Sequence, residues 1–192
     1  RSDSADDVLP NGRDLICSGY AIYGPSTMLV LTFGDHVDGF TLDKKTDSFV
    51  LTHPHMTVPP HACEFAINVS RQRHWDETIQ TYISDCLQGP DGPRKKAFNM
   101  RWTASMVADV HRILIRGGVF LYPVDADNRA AGGKLRLLYE AMPMAMIVEA
   151  AGGGATDGRI ALLDVAAATP HQRTSVILGA RIEIDLIRAA YS

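Results

Sequence analysis

Short apolar runs broken by turn residues fill the first third of the chain, and longer helical periodicities follow. Residues 16–23 read as a strand, and Gly24-Pro25-Ser26 turns the chain into a second β-rich run at 27–33. After Gly34-Asp35 a third strand is expected at 37–42. A charged turn at 43–47 leads to a short strand at 49–52, which completes an antiparallel meander. Residues 65–68 form a buried strand that ends on polar Asn68. Asp76 is placed to cap a helix over 77–87, which Gly89-Pro90 stops. Met106, Val107, Val110, Ile113 and Leu114 recur at helical spacing over 105–116, and Gly117-Gly118 ends that helix. A strand is expected at 119–122, then a mobile loop at 123–133 rich in Asp, Asn, Ala and Gly.

Pro143 suits the first turn of a helix whose buried face carries Met144, Ile147, Val148 and Ala151. Strands at 160–165 and 175–178 and a closing helix at 182–191 complete the pattern. Strands and helices alternate in the second half, so the fold class is α/β, a mixed sheet flanked by helices.

The length of 192 residues, with 46% apolar and 21% charged residues, suffices for a domain with a sizeable core. A net charge of −3 argues against a general nucleic-acid binder, which needs a basic face, but leaves room for a local basic pocket. Cys17, Cys63 and Cys86 are odd in number and widely spaced, which suits neither a zinc site nor a disulfide framework and points to a reducing cytoplasm. No stretch is apolar enough to span a bilayer, so no membrane partner is expected. Residues 1–14 read as a polar linker or loop, and the first residue is Arg1, so a piece of a longer protein is one expectation.

The densest candidate chemistry is Lys134-Leu135-Arg136-Leu137-Leu138-Tyr139-Glu140, directly ahead of the expected helix. Leucines anchor the segment, while two cations and a carboxylate approach a helix N-terminus, a combination suited to a phosphate and a metal ion. Glu140 offers oxygen to Mg²⁺ or Mn²⁺, although a first-turn acid stabilising its own helix is the plainer reading. Lys134, after Gly132-Gly133, is either a point charge for phosphate or a solvated loop lysine. Arg136 fits a structural ion pair with Glu140 or Glu149 as well as a ligand contact. The basic clusters Arg94-Lys95-Lys96 and Arg71/Arg73/His74 either line anion sites or solvate loops, and solvation is preferred for the first. His53 and His55 lack a carboxylate or a third histidine to complete a metal pattern. No Walker sequence, dinucleotide fingerprint or nucleophile elbow occurs.

Several ordered blocks together resemble class 1 fructose-1,6-bisphosphatases, in their C-terminal half. They are Gly19-Tyr20-Ala21-Ile22-Tyr23-Gly24-Pro25-Ser26-Thr27-Met28, Arg101-Trp102-Thr103-Ala104-Ser105-Met106, Gly117-Gly118-Val119-Phe120-Leu121-Tyr122-Pro123 and Gly133-Lys134-Leu135-Arg136-Leu137-Leu138-Tyr139-Glu140. Ala150-Ala151-Gly152-Gly153, Leu163-Asp164-Val165 and His171-Gln172-Arg173 complete the series, and Phe65 to Trp75 looks closest to bacterial members.

The resemblance implies magnesium-dependent hydrolysis of fructose 1,6-bisphosphate to fructose 6-phosphate and phosphate, with manganese as a possible substitute. It implies that Glu140 is a metal ligand, that Lys134 contacts the sugar phosphate, and that Asn68 and Tyr122 hold the 6-phosphate end. Arg101 would reach the 6-phosphate of a neighbouring subunit in a homo-oligomer, with a tetramer as the family expectation, and Arg136 would lie near the metal. Trp102 and Arg71 stand where the family often has tyrosine. The family's Asp-Pro-Leu-Asp-Gly-Ser-Ser motif and Gly-Asp-Glu loop do not occur here. The resemblance therefore implies a C-terminal sugar-phosphate-binding domain over 15–192, without the metal-binding catalytic half and inactive alone. A sedoheptulose-1,7-bisphosphatase of carbon fixation, a bifunctional enzyme and a non-catalytic sugar-phosphate-binding module are the alternatives.

Overall fold

A computed structural model describes residues 9–191. Strands β1 (Ser18–Ile22), β2 (Met28–Thr32), β3 (Val37–Asp43) and β4 (Ser48–His53) form the expected antiparallel meander, paired in chain order. Alternation sets its faces: Tyr20, Met28, Val30 and Val37 are buried, while Phe49, Val50 and Leu51 of β4 stay exposed.

The second sheet has five strands in the order β6-β5-β7-β11-β9. Its members are β5 (Glu64–Ala66), β6 (Asn99–Met100), β7 (Val119–Tyr122), β9 (Gly154–Thr156) and β11 (Val176–Gly179). Strand β5 runs parallel to β6 and β7, whereas β11 runs antiparallel to β7 and β9. Two short strands, β8 (Leu135–Arg136) and β10 (Arg173–Thr174), pair separately. The helices are α1 (Glu77–Leu87), α2 (Met106–Arg116), α3 (Met142–Ala150) and α4 (Arg181–Ala190).

Period-two alternation sorts the five-stranded sheet into two cores. Phe65, Ile67, Val119, Leu121 and Ile177 meet Ile79, Ile83, Ile184 and Ile187 of α1 and α4. Ala66, Phe120, Val176 and Leu178 turn the other way, toward Val110, Ile113, Ala145 and Ile147 of α2 and α3, whose far side covers Tyr20 and Val30. The layers are thus helix pair, mixed sheet, helix pair, antiparallel sheet. No described helix is long and apolar enough to cross a membrane.

The caps follow the sequence reading: Asp76 accepts from the N–H of Ile79 at 2.9 Å, and Ser105 accepts from Ala108 at 3.5 Å. Gly117 and Gly118 take φ of +76° and +128°, the left-handed backbone that ends α2. Four expectations change. Residues 160–165 hold a 3-10 turn at Leu162–Asp164 instead of a strand, because Asp157 accepts from the N–H groups of Arg159 and Ile160 and bends the chain. The run Gly152-Gly153-Gly154 follows a helix and reads from sequence as its cap; Gly152 is one, but Gly154 opens strand β9. The loop at 123–133 is pinned by Asp125, 3% exposed, which accepts from Arg71 and from the N–H groups of Asp127 and Asn128. Finally, Arg94 and Lys96 do not solvate a loop: both reach the fully buried Glu183, and Arg94 also lies over the rings of Tyr82 and Phe98.

Candidate functional site

Strands β5 and β7 are parallel and β11 is antiparallel to them, so the ends of β5 and β7 and the start of β11 share one edge of the sheet. Ligand sites of open sheets favour such a carboxyl edge. The segment from Asn68 to His74 leaves β5 there, the 123–133 loop leaves β7, and Arg173 enters ahead of β11. Pairing of β8 with β10 sets Arg136 opposite Arg173 and Leu135 opposite Thr174, which brings the Lys134 segment to the same edge. Arg173 also donates to the carbonyl of Lys134 at 3.2 Å.

These loops enclose an open cavity of 380 Å³, and its lining includes Arg71, Tyr122, Asp127, Asn128, Lys134 and Arg173. The three cations there do not act alike. Arg71 is already matched, at 3.0 Å to Asp125 and 2.6 Å to Asp127. Burial pushes the Asp125 carboxyl up, but the hydrogen bonds from Arg71 and from the backbone of Asn128 and Asp127 outweigh it, and the group sits below the usual carboxylate range. Among the described residues no carboxylate pairs with Lys134 or Arg173, and the Tyr122 hydroxyl makes no hydrogen bond. Two uncompensated cations and a free hydroxyl lining one cavity are the chemistry that suits an anion.

A larger cavity of 510 Å³ on the other side of the 123–133 loop has the opposite balance, with Arg129 and Arg159 set against Asp76, Glu77 and Asp157. Charge, rather than size, favours the first.

The structure brings Tyr122 and Lys134 together, and Asn68 sits at the same edge, where its side chain accepts from Ser70 at 2.7 Å and its carbonyl from the N–H of Arg71 at 3.0 Å. Arg101 is elsewhere. Its guanidinium lies 3.9 Å from Glu64, at the opposite end of β5 from Asn68. Arg136 is half-buried and pairs with neither Glu140 nor Glu149. Its Nε donates to the Tyr139 hydroxyl at 3.0 Å, and that hydroxyl meets His171 Nδ1 at 3.1 Å. Glu149 pairs instead with Arg13.

Glu140 does not precede the helix. Leu137–Ala141 form a π-helical turn that runs directly into α3, with Glu140 inside it. Its Oε2 accepts from the N–H of Arg136 at 2.6 Å, which satisfies a donor at the helix start. One carboxylate oxygen is left over. Among the described residues no other His, Cys, Asp or Glu joins Glu140 in a group of three ligands. A hard divalent cation held at Glu140 therefore needs further oxygens beyond these residues.

Trp102, where the family often has tyrosine, stacks on Phe120 at 5.9 Å between ring centres and lies 6.0 Å from the Tyr122 ring, so it packs the wall behind Tyr122. The sequence reading missed Arg173 and Asn128 as site residues. Arg173 was present in the block His171-Gln172-Arg173, but nothing in its spacing ties it to Lys134 until β8 and β10 pair. It also missed a group on the antiparallel sheet, where His36 and Asp38 complete with His55 the pattern that His53 and His55 lacked.

Residues 58–192 match the family description "Fructose-1-6-bisphosphatase, C-terminal domain", and residues 1–54 match "Fructose-1-6-bisphosphatase, N-terminal domain". The two matches meet at the end of the antiparallel meander. Leishmania major fructose-1,6-bisphosphatase in holo form is 43% identical over 95% of this chain, with a TM-score of 0.89. The same enzyme in the T-state is 41% identical over the whole chain, with a TM-score of 0.91. The chain spans 58% and 60% of the lengths of those two structures. With both family descriptions matched in order and the fold shared along its length, the chain belongs to the fructose-1,6-bisphosphatase family.

Proposed function

We propose that this chain supplies the sugar-phosphate pocket of a fructose-1,6-bisphosphatase, an enzyme that transfers the 1-phosphoryl group of fructose 1,6-bisphosphate to water and leaves fructose 6-phosphate. The observation that carries this reading is the convergence of Lys134, Arg173 and the Tyr122 hydroxyl on one cavity, with no carboxylate pairing with either cation among the described residues. A dianionic phosphate matches that set: the cations neutralise it, and Tyr122 and Asn128 offer directional donors. In this reading Lys134 and Tyr122 hold the sugar phosphate, with Asn68 shaping the floor of the same edge. Arg136, whose side chain donates to Tyr139, meets Glu140 through its backbone N–H. Arg101, which does not line the cavity within one chain, serves a neighbouring subunit of a homo-oligomer.

Magnesium or manganese, when bound, would polarise the phosphoryl group and water. Glu140 would contribute one oxygen to it, and among the described residues it belongs to no group of three ligating side chains. The 192 residues are accordingly expected to bind the sugar phosphate and to release no phosphate. A phosphate-release assay with magnesium checks this directly. Magnesium-dependent turnover by the 192 residues would show that a complete metal site forms without further carboxylates, against this reading.

A further inference from the structure

The antiparallel sheet carries a second cluster of ligating side chains, remote in composition from the anion cavity. We propose that His36, Asp38 and His55 form a binding site for a divalent transition-metal ion of the zinc class. The ligand atoms of the three side chains lie within 4.8 Å of one another. A tetrahedral ion with bonds of about 2.1 Å separates its ligands by about 3.4 Å, so small side-chain rotations close the set. Two imidazole nitrogens and one carboxylate oxygen, with a water in the fourth position, suit zinc, cobalt or nickel better than magnesium.

The backbone explains why these three meet. His36 directly precedes β3 and Asp38 is two residues on, so both project from one face of the strand. After β4 the chain stays beside β3, because the N–H of Met56 donates to the carbonyl of Val37 at 2.7 Å. His55, at φ +50°, is thereby returned against β3, and its own N–H donates to Asp38 Oδ1 at 2.9 Å. This bond holds Asp38 through Oδ1 and sets Oδ2 against His36 Nε2 at 3.1 Å, a contact that an ion would replace. The other ring nitrogen of His36 lies 3.0 Å from Asp35 Oδ2. Metal-bound histidines commonly donate that second N–H to a carboxylate, which sets the tautomer and presents the remaining lone pair to the ion.

A salt-bridged His36 between Asp35 and Asp38 accounts for part of this geometry. It does not account for His55, whose ring centre lies 4.7 Å from that of His36. A second imidazole adds nothing to an ion pair and repels if charged, whereas it completes a ligand set. His55 also lies between residues 54 and 58, where the two family matches meet. An ion there would fasten this connection to the start of β3, a structural role independent of the sugar-phosphate pocket.

The test is calorimetric titration of Zn²⁺ into tag-free, chelator-stripped protein, with Co²⁺ absorption as a second readout. One site is expected in the wild type and in Glu140→Gln, together with the stronger visible absorption of tetrahedral Co²⁺. His36→Ala and His55→Ala should each abolish it, Asp35→Asn should weaken it about tenfold, and His53→Ala should leave it unchanged. Melting in chelator shows whether each variant is folded, and exposed His55 guards against misfolding of the His36 variant. Absence of binding by the wild type at micromolar Zn²⁺ would overturn the proposal. So would wild-type binding by both the His36 and His55 variants, or loss of binding in Glu140→Gln.

Discussion

Lys134 and Arg71 are both cations at the rim of the same cavity, and their surroundings give them different work. Arg71 holds Asp125 and Asp127, so its charge is already used, whereas no described carboxylate pairs with Lys134. Lys134→Ala should weaken sugar-phosphate affinity about ten- to a hundredfold, the worth of one charged hydrogen bond, with the melting temperature little changed. Titration and thermal melting on one sample separate these effects. Arg71→Met should do the reverse and lower the stability of the protein, because it leaves the buried Asp125 carboxylate unpaired; urea unfolding measures it. From sequence, Lys134 and Arg71 looked equally available to an anion, because the partners of Arg71 lie more than 50 residues away. His111, hydrogen-bonded to Tyr20 at 3.0 Å, is held below the usual histidine pKa by burial and then by His53. Its folded form resists protonation, so the unfolded chain takes up the proton first. Stability should therefore fall as pH drops below about 6.5, and His111→Gln should flatten that slope in unfolding curves measured across the range.

The elements that hold these residues were legible wherever periodicity or a cap was strong. Helices α1 and α2 begin at Asp76 and Ser105 as their caps require, and the meander follows its turn residues. The misread elements share a cause: short apolar runs do not distinguish a strand from a buried turn. Leu162 and Leu163 are buried in a 3-10 turn, and the π-turn at Leu137–Ala141 depends on one residue of register that no pattern marks. The cavity depends on a glycine between these elements. Gly133 has φ +135°, and a methyl group there would collide with the Thr174 carbonyl. Gly133→Ala should cost about 2 kcal/mol and weaken sugar-phosphate binding as well, because it pushes β8 from β10. Comparison with Gly152→Ala, which has open space at φ +81°, separates backbone strain from this clash in paired melting experiments.

At the scale of the molecule, four alternating layers place one edge of the mixed sheet under the anion cavity and set the antiparallel sheet on the far side of α2 and α3. The class could be read from sequence, because strands and helices alternate through the second half of the chain. The joining of Lys134 to Arg173 could not, since it arises from pairing between distant segments. The central claim is that this edge binds a sugar phosphate by itself, while turnover needs oxygen ligands beyond Glu140. The most direct test is calorimetric titration of fructose 1,6-bisphosphate, without metal, into the 192-residue chain and its Lys134→Ala variant. Saturable one-site binding by the wild type, lost or weakened at least about tenfold in the variant, is the predicted result. No binding by the wild type, or equal binding by both proteins, would contradict the account.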